Sequence, residues 1–155
     1  MLQIRKPKLK DFECIYSLCR MFFTEGAYRD FTFDRERCIE TVNQMLTGNV
    51  ECLMVEIEGI PLAFAAWTYE RHCTVEPVGM TFLFYTAPSA RGTPAARMLR
   101  DAMDKAAQEA GCAAFYIAST AGFNDDGKNQ KLFTNLFLKN GFVVVGEFMR
   151  KVYAK

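Results

Sequence analysis

The chain has 155 residues, half of them apolar, with 19 basic and 18 acidic side chains mixed along it and a net charge of +1. That length fits one domain, 1–155, able to bury a proper core. The even charge balance shows neither the basic footprint of a nucleic-acid partner nor an acidic tail. No stretch approaches the ~18 uninterrupted apolar residues of a membrane span, and the opening MLQIRKPKLKDFE has no apolar run after its basic residues, so neither a membrane partner nor a signal peptide is expected.

Cys14, Cys19, Cys38, Cys52, Cys73 and Cys112 are widely spaced and form no CxxC pair, so no metal site is expected. Their pattern favours small buried hydrophobes in a reducing cytoplasm over disulfides. Cys73, in a loop, is the one to test for reactivity.

Residues 2–5 read as a short strand. Asp11 reads as a helix start, followed by Phe12, Ile15, Tyr16, Cys19, Phe22 and Phe23 on one apolar face. GAYRDFTF breaks this helix. Asp34 caps a second, with Cys38, Val42, Met45 and Leu46 inward and Gly48 closing it. In ECLMVEIEGIPLAFAAWTYE two apolar runs flank Glu58-Gly59, a tight hairpin turn. After the loop RHCTVEP, VGMTFLFYTA is apolar at nearly every position, which predicts a central strand buried on both faces. The loop APSARGTP leads into a helix ending near Ala110, with Gly111 as its stop, and CAAFYIAS is another buried strand. In the polar loop TAGFNDDGKN, Asp125 and Asp126 are turn residues without the spacing of a calcium loop. QKLFTNLFLKN is a short helix with Leu132, Phe133, Leu136 and Phe137 inward, stopped by Gly141. FVVVGEFMRKVY supplies one or two last strands, whose apolar edge leaves room for a homodimer.

The strand–loop–helix–strand unit from Val78 to Ala118 must be a crossover, so its two strands are parallel and adjacent. The result is an α/β fold, an α+β mixed sheet with helices on both faces. Ligands in such sheets gather at the carboxyl ends of parallel strands. The loop there has the parts of an anion seat. Gly92 permits close backbone approach, Thr93 can cap the helix, and Pro94 suits its first position. Thr93, Ala95, Ala96 and Arg97 offer amides, and Arg91 adds a charge. An ordinary Thr-Pro helix start in an unrelated α/β domain is the alternative reading of the same residues.

In context the loop resembles motif A of the GNAT superfamily, the acetyl-CoA-dependent N-acetyltransferases, which reads R/Q-x-x-G-x-G/A after a strand often ending in V-x-P. TAPSARGTPAA matches it at Pro88, Arg91 and Ala96, with Pro94 in place of a glycine. FLKNGF at 137–142 is similar to the family's Y-x-x-x-G-F, with Phe137 at the tyrosine, and the order of elements also matches. The resemblance implies a six- or seven-stranded mixed sheet with about four helices on both faces and a splay between the two central parallel strands. It implies acetyl-CoA as the cofactor, its pantetheine arm on the backbone of Phe84, Tyr85 and Thr86. The diphosphate would lie on Arg91, Gly92, Thr93, Pro94, Ala95, Ala96 and Arg97. Asn129, Gln130 and Phe137 would flank the cofactor. The partner is an amine acceptor.

Amide formation from a thioester needs a base for the amine, a donor to the oxyanion and departure of the thiolate. Phe137 cannot act as the family's acid. The strand before the loop has no carboxylate, so the base candidates are Glu70, His72 and Glu76. His72, the only histidine, has the ordinary pKa suited to the task, though all three also read as solvated loop residues. Tyr85 is a candidate oxyanion donor or a core tyrosine. For the acceptor, Tyr28, Phe31 and Phe33 offer an aromatic lid, joined by Trp67, Tyr69 and Ser119. A catalytically silent relative that binds coenzyme A or a partner is the alternative function.

Overall fold

A computed structural model describes residues 1–25, 28, 31–71, 74–118 and 128–146. The elements run β1 (Leu2–Arg5), α1 (Phe12–Glu25), α2 (Arg35–Thr47), β2 (Glu51–Ile57), β3 (Ile60–Glu70), β4 (Val78–Thr86), α3 (Ala95–Glu109), β5 (Ala114–Ile117) and α4 (Lys128–Leu138). The five strands among the described residues form one sheet in chain order, antiparallel from β1 to β4 and parallel between β4 and β5. Glu58 and Gly59 turn the β2–β3 hairpin with φ of 51° and 80°. Paired positive φ values match the right-handed twist of the flanking strands.

Alternation along the strands divides the core. Cys52, Met54, Phe64, Ala66, Leu83 and Tyr85 face α1 and α2, where Ile15, Leu18, Cys19, Phe22, Cys38, Val42 and Met45 meet them. Val55, Ala63, Ala65 and Trp67 face α3, against Leu99 and Met103. Asp34 caps α2 as expected, accepting from the Arg37 amide at 3.1 Å, and Gly48 ends it at φ 81°. Asp11 instead lies in a short 3-10 turn before α1. Its carboxylate accepts from the Lys8 amide (2.7 Å) and pairs with both Arg5 nitrogens (2.7 and 3.0 Å), while Arg5 also reaches Glu56 at 2.6 Å.

The Arg5 hydrogen bonds hold the Asp11 carboxyl down to about 2, against burial, with the Lys8 amide adding to the shift. A depressed folded-state pKa contributes stability that is present above the unfolded value near 3.8 and lost as pH falls through about 2. Urea midpoints should therefore drop between pH 4 and 2. Asp11→Asn should remove about 2–3 kcal/mol at pH 7 and flatten that acid limb. An unaltered midpoint for the variant would deny the network its role.

Three expectations need correction. β4 and β5 are not buried on both faces: Met80, Phe82 and Tyr116 are 41, 42 and 45% exposed, because α1 packs over β3 and the far part of β4 while α2 covers β2. Leu132 points outward at 61% exposure, leaving Phe133, Leu136 and Phe137 as the inner face of α4. Residues 142–146 form no strand, with Val143, Val144 and Val145 exposed; the rest of the expected final strands lies outside the described residues. No described helix is long and apolar enough to cross a membrane.

Candidate active site

β4 carries the site because its two neighbours part company along it. β5 pairs with β4 only from Val78 to Thr81, opposite Ala114 to Ile117. β3 follows β4 to its end, with Ala63 opposite Thr86. From Phe82 to Thr86 the other edge of β4 therefore has no strand beside it among the described residues. A bulge marks the fork: Ala66 faces Leu83 but Trp67 faces Thr81, so Phe82 is the extra residue. A bulge sharpens twist and interrupts pairing.

At the open end the chain makes a short 3-10 turn over Pro88–Ala90, turns at Gly92 and enters α3. Gly92 has φ 82°, and a Cβ there would meet nothing within 4 Å. The glycine is required by its backbone angle, and the space over it is open to a ligand. α3 begins one residue later than expected, at Ala95, with Pro94 before it. Thr93 still acts at the entrance: its hydroxyl accepts from the Ala95 amide (3.3 Å) and donates to Ala90 O (2.6 Å). Its own amide is engaged with Ala90 O at 3.2 Å, so it is not a donor to a ligand. Met98 makes the first helical bond, to Pro94 O. The amides of Ala96 and Arg97 thus have no acceptor within the helix.

The Arg91 side chain turns back along the strand end. Its Nε donates to Thr86 O (3.2 Å), its Nη2 lies 2.5 Å from Glu25 Oε2, and its guanidinium carbon is 5.9 Å from the centre of the Tyr85 ring. Tyr85 is buried against Phe22 and Phe64, yet its hydroxyl makes no hydrogen bond of good geometry among the described residues. Burial first, and Glu25 second, push its pKa above the ordinary value. At neutral pH it keeps its proton and can donate but not act as a base. An orphaned buried hydroxyl costs about 1–3 kcal/mol. Tyr85→Phe should therefore match or exceed the wild-type melting temperature while impairing ligand-dependent function. A lowered melting temperature would mean the hydroxyl is a structural bond.

Phe84, on the other face, meets α4. Its ring lies 5.4 Å from both Phe133 and Phe137, and Phe142 packs on Phe137 at 5.2 Å. Gly141, at φ 86°, lets the chain double back, and the Phe142 amide reaches Phe137 O at 3.3 Å. The Gly-Phe of FLKNGF is thus a helix stop with its apolar contact. Arg100, buried on α3 and paired with Asp101, donates to Leu136 O at 2.5 Å and ties α4 in place. Gln130 is exposed in the first turn of α4; the Asn129 side chain is outside the described residues.

Tyr28, Phe31 and Phe33 do come together. With Phe23, Asp34 and Arg37 they line a cavity of about 250 Å³ between the end of α1 and the start of α2. Tyr28 packs on Phe22 (5.8 Å) and Phe22 on Tyr85 (6.2 Å), so aromatic contacts link cavity and strand end. Trp67 does not join them. It is 1% exposed in the core under α3, on the opposite sheet face, with Tyr69 and Phe115 about its ring. Glu70 pairs opposite Val78 and Glu76 lies just before that residue, at the closed end of the fork. Eight strand steps, about 26 Å, separate that end from Thr86. His72, Cys73 and Ser119 lie outside the described residues. Glu25 was missed by sequence reasoning because a carboxylate at a helix end reads as a solvated charge.

No family model and no curated protein matches the sequence. Solved structures do. The aminoglycoside N-acetyltransferase AAC(6')-Iy, in complex with a bisubstrate analogue of coenzyme A, superposes with a TM-score of 0.73 at 16% identity over 100% of this chain and 99% of its own. A predicted acetyltransferase with acetyl-CoA from Clostridium acetobutylicum gives 0.72 at 19% identity over 98% and 96%. A transcriptional regulator from Bacillus halodurans C-125 gives 0.75 at 13% identity over 99% and 100%. Superposition over nearly the whole of these chains, together with a mixed sheet that forks beside a glycine turn into a helix, gives this chain the GNAT fold.

Proposed function

We propose that the protein is an N-acyltransferase that moves an acetyl or other acyl group from acyl-coenzyme A to a primary amine of a small molecule or a protein. The observation that carries this is the edge of β4 from Phe82 to Thr86, which no strand pairs among the described residues and which runs straight into the entrance of α3. An extended amide-bearing arm can pair with such an edge, as a strand would. Arg91 and the amides of Ala96 and Arg97 suit a diphosphate, and the open space over Gly92 fits its bulk. Phe84 and Phe137 would wall the arm on the α4 side. The thioester supplies the activated acyl group. The likeness to acetyltransferases described with coenzyme A or acetyl-CoA supports the same reading.

The acceptor would sit on the α1–α2 side, with its apolar part in the cavity lined by Tyr28, Phe31 and Phe33. Phe137 is 4% exposed inside an aromatic cluster, so it excludes water but cannot protonate sulfur. A thiolate is stable enough near neutral pH to leave unaided. The same phenylalanine favours the second reading, a coenzyme A-binding protein without turnover. The protein would act in the cytoplasm, and the apolar segment 142–149 leaves room for a homodimer.

Melting with and without millimolar acetyl-CoA tests the first step, since a ligand held by the native state raises the midpoint. An unmoved midpoint would contradict both readings. Thiol release with a panel of primary amines then separates them: release supports the transferase, and binding without release supports the silent protein.

A further inference from the structure

We infer that the preferred donor carries a medium-length alkyl acyl chain in place of acetyl, and that this chain leaves the fork of β4 and β5 on the α1 side to lie over Met80, Tyr116, Val78 and Ala114. The inference rests on the acyl-coenzyme A reading and adds the class of donor to it.

The fork sets the direction. An arm paired with β4 from Thr86 to Phe82 covers four strand steps, about 13 Å. There it meets β5, whose Ile117 stands opposite Thr81, so the chain cannot continue in the plane of the sheet. It must turn to one face. The α3 face is closed at this level: the Thr81 hydroxyl is buried, and Phe115 and Ile117 pack with Trp67, Leu99 and Met103. The α1 face is open. Its core takes in Leu83 and Tyr85 of β4 but neither Met80 nor Tyr116.

Strand alternation makes that open face apolar. Phe115 and Ile117 point to α3, so Tyr116 between them points the other way. Met80 stands opposite Tyr116, and Val78 opposite Ala114 one row further from the fork. Met80 and Tyr116 are 41 and 45% exposed, and Val78 and Ala114 are half-buried. Phe82, at the bulge where the arm would arrive, is 42% exposed. Grouped apolar side chains left open to water mark a binding surface, whereas scattered ones do not. From Thr81 to Val78 the floor runs about 10 Å, the reach of an acyl chain of about six to eight carbons. Glu70 on β3, opposite Val78, puts a carboxylate at its far end and limits longer chains. Acetyl would leave the floor uncovered.

Calorimetric titration with coenzyme A and its acetyl, butyryl, hexanoyl and octanoyl thioesters, without amine, tests the floor. A floor open to water above covers about half of each methylene, so affinity should rise about twofold per methylene, or about 15-fold from acetyl to hexanoyl. In the Met80→Gln, Tyr116→Gln double variant that ratio should fall below about threefold. Equal affinities across the series, or an undiminished ratio in the variant, would overturn the floor while leaving coenzyme A binding intact. Failure of the wild type to bind any of the series would instead overturn the underlying function and the floor with it. Methyl-labelled methionine spectra locate the chain. The Met80 signal, identified by its loss in Met80→Gln, should move further with hexanoyl- than with acetyl-coenzyme A. A still Met80 signal, or movement of Met103 in its place, would refute the α1-side path.

Discussion

Gly79→Val is expected to lower stability by about 3 kcal/mol or more, with a matching fall in the urea midpoint. A Cβ on Gly79 would lie 2.1 Å from Cδ2 and 2.5 Å from Cε2 of Phe115, the residue opposite it on β5. The whole edge of the ring is in the way, not a flexible tip. The ring cannot swing aside freely, because it packs 6.3 Å from Trp67, which is 1% exposed. The four parallel pairs that close the fork run through this contact, so the variant should also loosen β5. Gly79→Ala should behave likewise to a smaller degree, and Phe115→Leu should restore part of its loss by removing the ring. A Gly79→Ala midpoint within error of wild type would show that β5 is not anchored there.

Arg91→Glu is expected to weaken coenzyme A about 30- to 150-fold, the equivalent of 2–3 kcal/mol for charged hydrogen bonds, with little change in melting temperature. The side chain is 46% exposed and its ion pair is a surface one, so the fold loses less than about 1 kcal/mol. Binding loses both the cation and the neutrality of the loop, since the new carboxylate would stand beside Glu25 at the α3 entrance. Calorimetry or a fluorescent coenzyme A analogue reads the change. Unaltered affinity would remove Arg91 from the site, and a collapse of the melting temperature would make its role structural.

Local rules account for what the sequence made legible. Glu58-Gly59, Asp34 and Gly48 are end signals whose backbone demands few residues meet, and each appears where expected. The crossover from β4 through α3 to β5 followed from chain length and handedness. What stayed hidden depends on pairing between distant segments. The bulge at Phe82 exists only relative to β3, and the exposure of Met80 and Tyr116 depends on how far α1 reaches across the sheet. Trp67 was readable as a core residue from its alternation with Ala63 and Ala65, but aromaticity drew it to the acceptor group instead. Glu25 carried no sequence signal, because Arg91, with which it pairs, is 66 residues away.

Hydrogen exchange with and without coenzyme A tests most directly whether the forked strand and the helix entrance bind together. Exchange should slow at Phe82 to Thr86 and at Ala96 and Arg97, with β2 unaffected. Unchanged exchange along that stretch under saturating coenzyme A, or protection confined to the α1–α2 cavity, would contradict it.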